Sequence, residues 1–233
     1  MKLKGPRSSI PPRLRRRQSS PEKTQSLFPA LYSVLFYNDI VHVTVAKKAI
    51  HVHQWISYIR HLNRRFVRTL VGLDTEWLPN RAPGDDHPVA IIQLCVGSSC
   101  LIFQILHSDS IPVSLLQFLA DPSYIFCGVG IEGDVEKLYS NHGLFVGCYE
   151  DLNNLNKMAT WGENRRVYRY MGLKKMAMAV LGKEMKKPLE VTLSNWDAEN
   201  LDPDQVEYAA IDAFVSFQIA VRLTSWIAMA TPF

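Results

Sequence analysis

Asp74 and Glu76 stand two residues apart where an apolar run, Leu70 to Leu73, has just finished. On a β-strand, residues i and i+2 face the same side, so the two carboxylates point together. Like charges on one face repel unless a cation lies between them or water screens them. Mg²⁺ and Mn²⁺, hard ions that prefer oxygen, are the cations such a pair takes. An Asp-x-Glu pair alone also describes an ordinary solvated strand end, so the weight of the reading falls on what else the chain carries.

Two further places supply it. Asp202-Pro203-Asp204-Gln205 reads as a helix start, with Asp202 as N-cap, Pro203 at the first helical position and Gln205 closing a capping box. The helix that follows puts Tyr208 and Asp212 on one face, a narrow polar stripe that continues through Ser216 on a mostly apolar helix. A buried acid without a partner is costly, so Asp212 needs a counter-ion, either a metal or a lysine or arginine. The segment Gly128-Val129-Gly130-Ile131-Glu132-Gly133-Asp134 brings two more acids, Glu132 and Asp134, ahead of an expected helix Val135 to Asn141. Together these acids and the tyrosine suggest a metal-dependent phosphodiesterase.

On these motifs, and on Pro88 to Cys95, Ser194-Asn195-Trp196 and Gln205 to Asp212, the chain resembles the DEDD superfamily of 3′-5′ exonucleases. The likeness is to the subgroup whose third motif is Tyr-x-x-x-Asp, and within it to the Werner-syndrome type of exonuclease domain in its stand-alone plant form. The resemblance covers roughly residues 30 to 225. It implies an α/β, RNase H-like mixed sheet flanked by helices, in a single catalytic domain. It implies catalytic roles for Asp74, Glu76, Asp134, Tyr208 and Asp212, with Asp74, Glu76, Asp134 and Asp212 as metal ligands and two Mg²⁺ or Mn²⁺ ions per site. Asp134 rather than Glu132 matches the family's position. The implied activity is release of nucleoside 5′-monophosphates from a free 3′ end, DNA favoured. The alternatives are ribonuclease D-like trimming of RNA, or a non-catalytic nucleic-acid-binding adaptor on the same fold. A helicase or repair protein acting in trans would supply unwinding.

At 233 residues and 47% hydrophobic content the chain can bury one sizeable core. Its first twenty residues hold Lys2, Lys4, Arg7, Arg13, Arg15, Arg16 and Arg17 and no acid, so with a net charge of +4 the remainder is slightly acidic. Residues 1–26 are expected to be a disordered basic tail ahead of an exonuclease domain over 27–233. The tail suits a nuclear address, with an organelle transit peptide or a cytoplasmic protein as the other readings. With the domain itself slightly acidic, phosphate contacts must come from local clusters. The candidates are Arg64 and Arg65 beside Arg60 and Arg68, and Lys174 and Lys175 in a group with Lys183, Lys186 and Lys187. Trp77 and Trp161 could stack on bases, although packing explains both. Cys95, Cys100, Cys127 and Cys148 lack metal-ligand spacing and read as reduced thiols of an intracellular protein, and His51 and His53 read as surface residues.

The elements that must position these groups follow from periodicity. A hairpin turning at Asn38-Asp39 is expected first, then strands at Leu70 to Trp77, Val89 to Val96, Leu101 to Leu106 and Ile125 to Ile131. Helices are expected at Ala46 to Leu62, Val113 to Ala120, Val135 to Asn141, Leu152 to Thr160, Leu173 to Leu181 and Pro203 to Trp226. No run is expected to be long and apolar enough to span a membrane.

Overall fold

Val71 and Leu73 point to one side of their strand and Gly72 and Asp74 to the other, and that alternation organises the molecule. A computed structural model of the chain describes residues 28–159 and 170–230. The basic tail, Trp161 and the end of the helix expected to reach Thr160 lie outside them.

The seven strands are β1 (Ala30–Phe36), β2 (Asp39–Ala46), β3 (Thr69–Trp77), β4 (Val89–Val96), β5 (Ser99–Phe103), β6 (Tyr124–Gly128) and β7 (Tyr149–Asp151). They form one mixed sheet in the order β1-β2-β5-β4-β3-β6-β7. β3 lies near its centre, antiparallel to β4 and parallel to β6. The helices are α1 (Ala49–Asn63), α2 (Val113–Ala120), α3 (Ile131–His142), α4 (Leu152–Ala159), α5 (Leu173–Met176), α6 (Leu189–Thr192) and α7 (Pro203–Ala230). α1, α2 and α3 bury Val52, Ile56, Phe118 and Leu138 against Val71, Leu73, Ile92 and Phe126 on one face of the sheet. On the other face α7 buries Val206, Ala209, Ala213, Phe214 and Leu223 together with Trp196 and Met176. The result is the RNase H-like mixed α/β architecture, one sheet between two helical layers.

α7 approaches β3 more closely than side chains normally allow. A Cβ on Gly72 would lie 2.0 Å from the Ala213 carbonyl oxygen and 2.8 Å from the Phe217 nitrogen. Glycine at 72 is therefore what lets the helix lie on the strand.

Several expectations are corrected. The hairpin turns at Tyr37-Asn38, with Tyr37 at φ 56°, and Asp39 already pairs with Phe36. β5 stops at Phe103, where the chain enters a 3-10 turn at Ile105–His107. α3 opens at Ile131 rather than near Gly133-Asp134, because Gly130 at φ 70° turns the chain straight out of β6. The helix expected over Leu173 to Leu181 changes to π-helical geometry from Ala177. His51 is buried, whereas His53 is exposed. Pro203–Met229 is in fact long and apolar enough to cross a membrane, at mean hydropathy 1.2, but half of that window is buried inside the protein. Here it is the core helix that carries Asp212, so its apolar length is accounted for by the sheet it covers.

Candidate active site

The capping box that the sequence implies forms as written. The Gln205 amide N–H donates to Asp202 Oδ1 at 2.8 Å, and the Asp202 N–H donates to Gln205 Oε1 at 3.1 Å. This fixes where α7 begins and hence the height of Tyr208 and Asp212 above the sheet. From β3, Asp74 and Glu76 face the same helix. One carboxylate oxygen from each of Asp74, Glu76 and Asp212 lies within 4.8 Å of the other two.

Asp134 is brought to the same strand end from the opposite layer. It sits in the first turn of α3, and Thr75 Oγ1 donates to Asp134 Oδ1 at 2.5 Å. Because Thr75 lies between Asp74 and Glu76 and points the other way, one tripeptide addresses both layers. Asp134 is outside the three-carboxylate group yet close enough to act on it electrostatically. Glu132 is exposed.

Tyr208 is buried against the Trp196 ring, centroids 5.8 Å apart, and its hydroxyl accepts from Thr192 Oγ1 at 3.4 Å. Lys187 Nζ donates to Asp212 Oδ2 at 2.5 Å and lies 5.1 Å from the Tyr208 ring centroid. The counter-ion that Asp212 requires is thus a lysine in this structure, and that lysine comes from the cluster expected to meet phosphate.

Burial, then the neighbouring carboxylates of Asp212, Asp134 and Glu76, raises the Asp74 pKa well above the usual carboxylate range. Glu76 is pushed up to about 8, by burial first and then by Asp212. Asp134 rises to about 6 through burial, with the Thr75 hydrogen bond pulling the other way. Burial also raises Asp212, against the pull of Lys187. Burial opposes the Lys187 ammonium, but Asp212 overrides it and holds the pKa above its ordinary value. One ammonium acts on three acids, Asp74, Glu76 and Asp212, and that surplus of negative charge in a desolvated place is what a divalent cation relieves. The donor set is all carboxylate oxygen, which suits Mg²⁺ or Mn²⁺. Gln93, fully buried on β4 and paired across from Asp74, has no hydrogen-bond partner for either side-chain polar atom among the described residues. An amide left so beside the carboxylates is consistent with a site completed by more than protein atoms.

The expected nucleic-acid contacts are dispersed. Trp77 follows Glu76 on β3, partly buried, with Lys137 Nζ 4.8 Å from its ring centroid. Lys174 and Lys175 are exposed on α5, which begins beside Gly130 and Asp151. Arg64 and Arg65 are exposed in the loop before β3. The five residue steps from Thr69 to Asp74 separate that loop from the carboxylates by roughly 17 Å of strand. Thr75, Gln93, Thr192 and the Lys187–Asp212 pair were not anticipated. Thr75 could have been found, since strand alternation turns it away from its acidic neighbours.

A central strand ending in paired carboxylates, met by an aspartate from a helix on each face, defines an RNase H-like nuclease domain. The family model described as "3'-5' exonuclease" matches residues 45–228. A 3′-5′ exonuclease of Arabidopsis thaliana is 35% identical over 64% of this chain and 50% of its own length. The bifunctional 3′-5′ exonuclease/ATP-dependent helicase WRN of Mus musculus is 34% identical over 66% of this chain and 11% of its own. The chain thus spans half or less of these relatives. Escherichia coli RNase D shares the fold at a TM-score of 0.64 and 19% identity, covering 79% of this chain and 45% of that one. The chain belongs to the DEDD superfamily of metal-dependent 3′-5′ exonucleases.

Proposed function

We infer that this chain removes nucleoside 5′-monophosphates one at a time from a free 3′ end of nucleic acid. The observation that carries the reading is the meeting of Asp74, Glu76 and Asp212 oxygens within 4.8 Å at the end of the central strand. Asp74, Glu76 and Asp212 would hold one divalent ion, and Asp134, steadied by Thr75, would support a second. Bound there, the ions supply Lewis-acid stabilisation of the phosphoryl oxygens and an activated water. The chain's own residues do the rest. The carboxylates would set where the ions sit and, through them, where the scissile phosphate is held. Tyr208, its ring set by Trp196 and its hydroxyl by Thr192, orients the attacking water. No covalent enzyme intermediate is required.

Substrate choice rests on less. RNase D is an exoribonuclease, and the ribonuclease D-like reading, with RNA as substrate, is the one we carry first. The Werner-like reading, with recessed DNA 3′ ends, is favoured by the 34% identity to WRN. The Tyr-x-x-x-Asp spacing at Tyr208 and Asp212 supports the subgroup, and the 35% identity to the Arabidopsis thaliana exonuclease supports the plant-type form. A helicase or repair protein in trans would open duplex substrates, and the basic tail would carry a nuclear address. The intact acids weigh against a non-catalytic adaptor.

Incubating 5′-labelled RNA and DNA with Mg²⁺, with Mn²⁺ and with EDTA tests the reading. A ladder that shortens from the 3′ end and vanishes in EDTA is expected, and the RNA-to-DNA rate ratio decides between the two substrate readings. Binding with no ladder on either polymer would leave the adaptor. Tyr208→Phe is expected to lower the rate by about 100-fold, the low end of the range for positioned acid–base groups, with Mn²⁺ affinity retained. Loss of Mn²⁺ binding in calorimetry would contradict an orienting role.

A further inference from the structure

We propose that Lys187 is an internal stand-in for the divalent cation: its ammonium neutralises Asp212 while metal is absent, yields that position when metal binds, and is handed to the phosphate of the bound strand end. This rests on the metal reading of the Asp74, Glu76 and Asp212 cluster, and goes beyond it by giving the lysine two partners in succession.

The geometry points to exchange rather than to a permanent strut. Lys187 is carried by the segment between Gly182 and Pro188, which is pinned on both sides of it. Lys183 Nζ donates to Asp39 Oδ2 at 2.7 Å, the Glu184 N–H donates to the Tyr37 hydroxyl at 2.7 Å, and Met185 is fully buried. Beyond Lys187, the Pro188 carbonyl accepts from the Val191 and Thr192 N–H groups at the start of α6. With the backbone held, the four-carbon stem is what can move. The Lys187 side chain is 28% exposed while that of Asp212 is 3% exposed, so the ammonium reaches the acid from the solvent side, where a strand end must also enter.

Charge accounting favours the same conclusion. An ion pair that served stability alone would match one cation to one anion, yet here one ammonium acts on Asp74, Glu76 and Asp212. A compact ammonium on a flexible stem imitates a point cation in a way that a planar guanidinium does not. A divalent ion among the three clustered oxygens brings twice the charge to the place where Nζ now sits beside Asp212, so ammonium and metal compete for the same carboxylate. The Lys187 Nζ lies over the Tyr208 ring, 5.1 Å from its centroid. A cation is at home there, and the displaced ammonium remains beside the residue that faces the reacting phosphate. The phosphodiester then restores the negative charge that Asp212 no longer offers it.

The test is calorimetric titration of the full chain with Mn²⁺, comparing wild type with Lys187→Met, Lys187→Arg and Asp74→Ala/Glu76→Ala, beside melting in EDTA and turnover of a 5′-labelled oligonucleotide. Lys187→Met should bind Mn²⁺ about tenfold or more tightly, the sign expected when an internal competitor is removed, and should melt earlier in EDTA. Its kcat/KM at saturating Mn²⁺ should fall about tenfold or more. Affinity and turnover thus move in opposite senses, which loss of a merely structural pair would not produce. Lys187→Arg keeps the charge, guards against a folding failure in the methionine variant, and should bind Mn²⁺ less tightly than Lys187→Met does. Unchanged or weaker Mn²⁺ binding by Lys187→Met would overturn the stand-in role. Unchanged or faster turnover would overturn the hand-over to phosphate. If Asp74→Ala/Glu76→Ala bound Mn²⁺ as wild type does, the metal site itself would be misassigned, which is a different failure.

Discussion

Asp74→Asn should abolish metal-dependent degradation and, in the same protein, raise the melting temperature measured in EDTA. Asp74 belongs to the three-carboxylate group and is crowded by Asp212, Asp134 and Glu76 in a buried place. Metal-ion stabilisation of a phosphoryl transition state is worth several kcal/mol, so losing this ligand should cost at least about 1,000-fold in rate at about 1.4 kcal/mol per decade. Without metal, the same carboxylate is a burden on the fold. Glu76 has its pKa raised from 4.5 to about 8, and Asp134 from 3.8 to about 6. In such a window the folded chain binds more protons than the unfolded one, so stability falls as pH rises. The metal-free wild type should therefore lose stability between about pH 4.5 and 8, as the raised carboxyl groups give up their protons. Added Mg²⁺ should flatten that slope by favouring the ionised cluster. Asp74→Asn should flatten it without metal and gain a few degrees, since about 1 kcal/mol corresponds to roughly 2–4 °C at this chain length. Site function and fold stability are opposed here, as is common in active sites. Melting in EDTA from pH 5 to 8 is the check, and a wild-type midpoint that climbs across that range would contradict the account.

Gly72→Ala should cost at least about 3 kcal/mol and most of the activity, although residue 72 touches no substrate. The added methyl would sit 2.0 Å from the Ala213 carbonyl oxygen and 2.8 Å from the Phe217 nitrogen. Both are backbone atoms of α7 and have no rotamer to yield, so the helix must retreat. Overpacking typically costs 1–3 kcal/mol, and a clash with main chain belongs at or beyond the upper end. Asp212 is one residue before Ala213, so retreat of the helix also carries Asp212 away from Asp74. Urea unfolding beside the oligonucleotide assay reads both effects. Native stability in the variant would mean that α7 rests on the strand with slack to spare.

What the sequence disclosed follows the range over which each signal acts. The α7 capping box was legible because Asp202 and Gln205 are three residues apart and satisfy each other. β3 and β4 were legible because burial imposes apolar runs on central strands. β7, three residues at the sheet edge, is too short for any period to register. The start of α3 was missed because Gly130 reverses the chain through its φ, which leaves no hydrophobic trace. The acids were readable as motifs, whereas their meeting depends on the RNase H-like fold that lays the last helix across the strand. The Lys187–Asp212 pair spans 25 residues with nothing in the local pattern to announce it. Arg64 and Arg65 read as phosphate contacts by composition, but a loop's composition does not say at which end of the strand it lies.

The order in which the chain supplies its acids has a consequence for its own synthesis. Asp74, Glu76 and Asp134 all emerge before residue 135, while Asp212 arrives on the helix that lies across β3 and completes the second layer. Domains take shape as the chain is made, N-terminal parts first, so a partly made polypeptide carries three of the four acids and lacks the fourth. A site assembled in this order stays unfinished on the ribosome until α7 is in place.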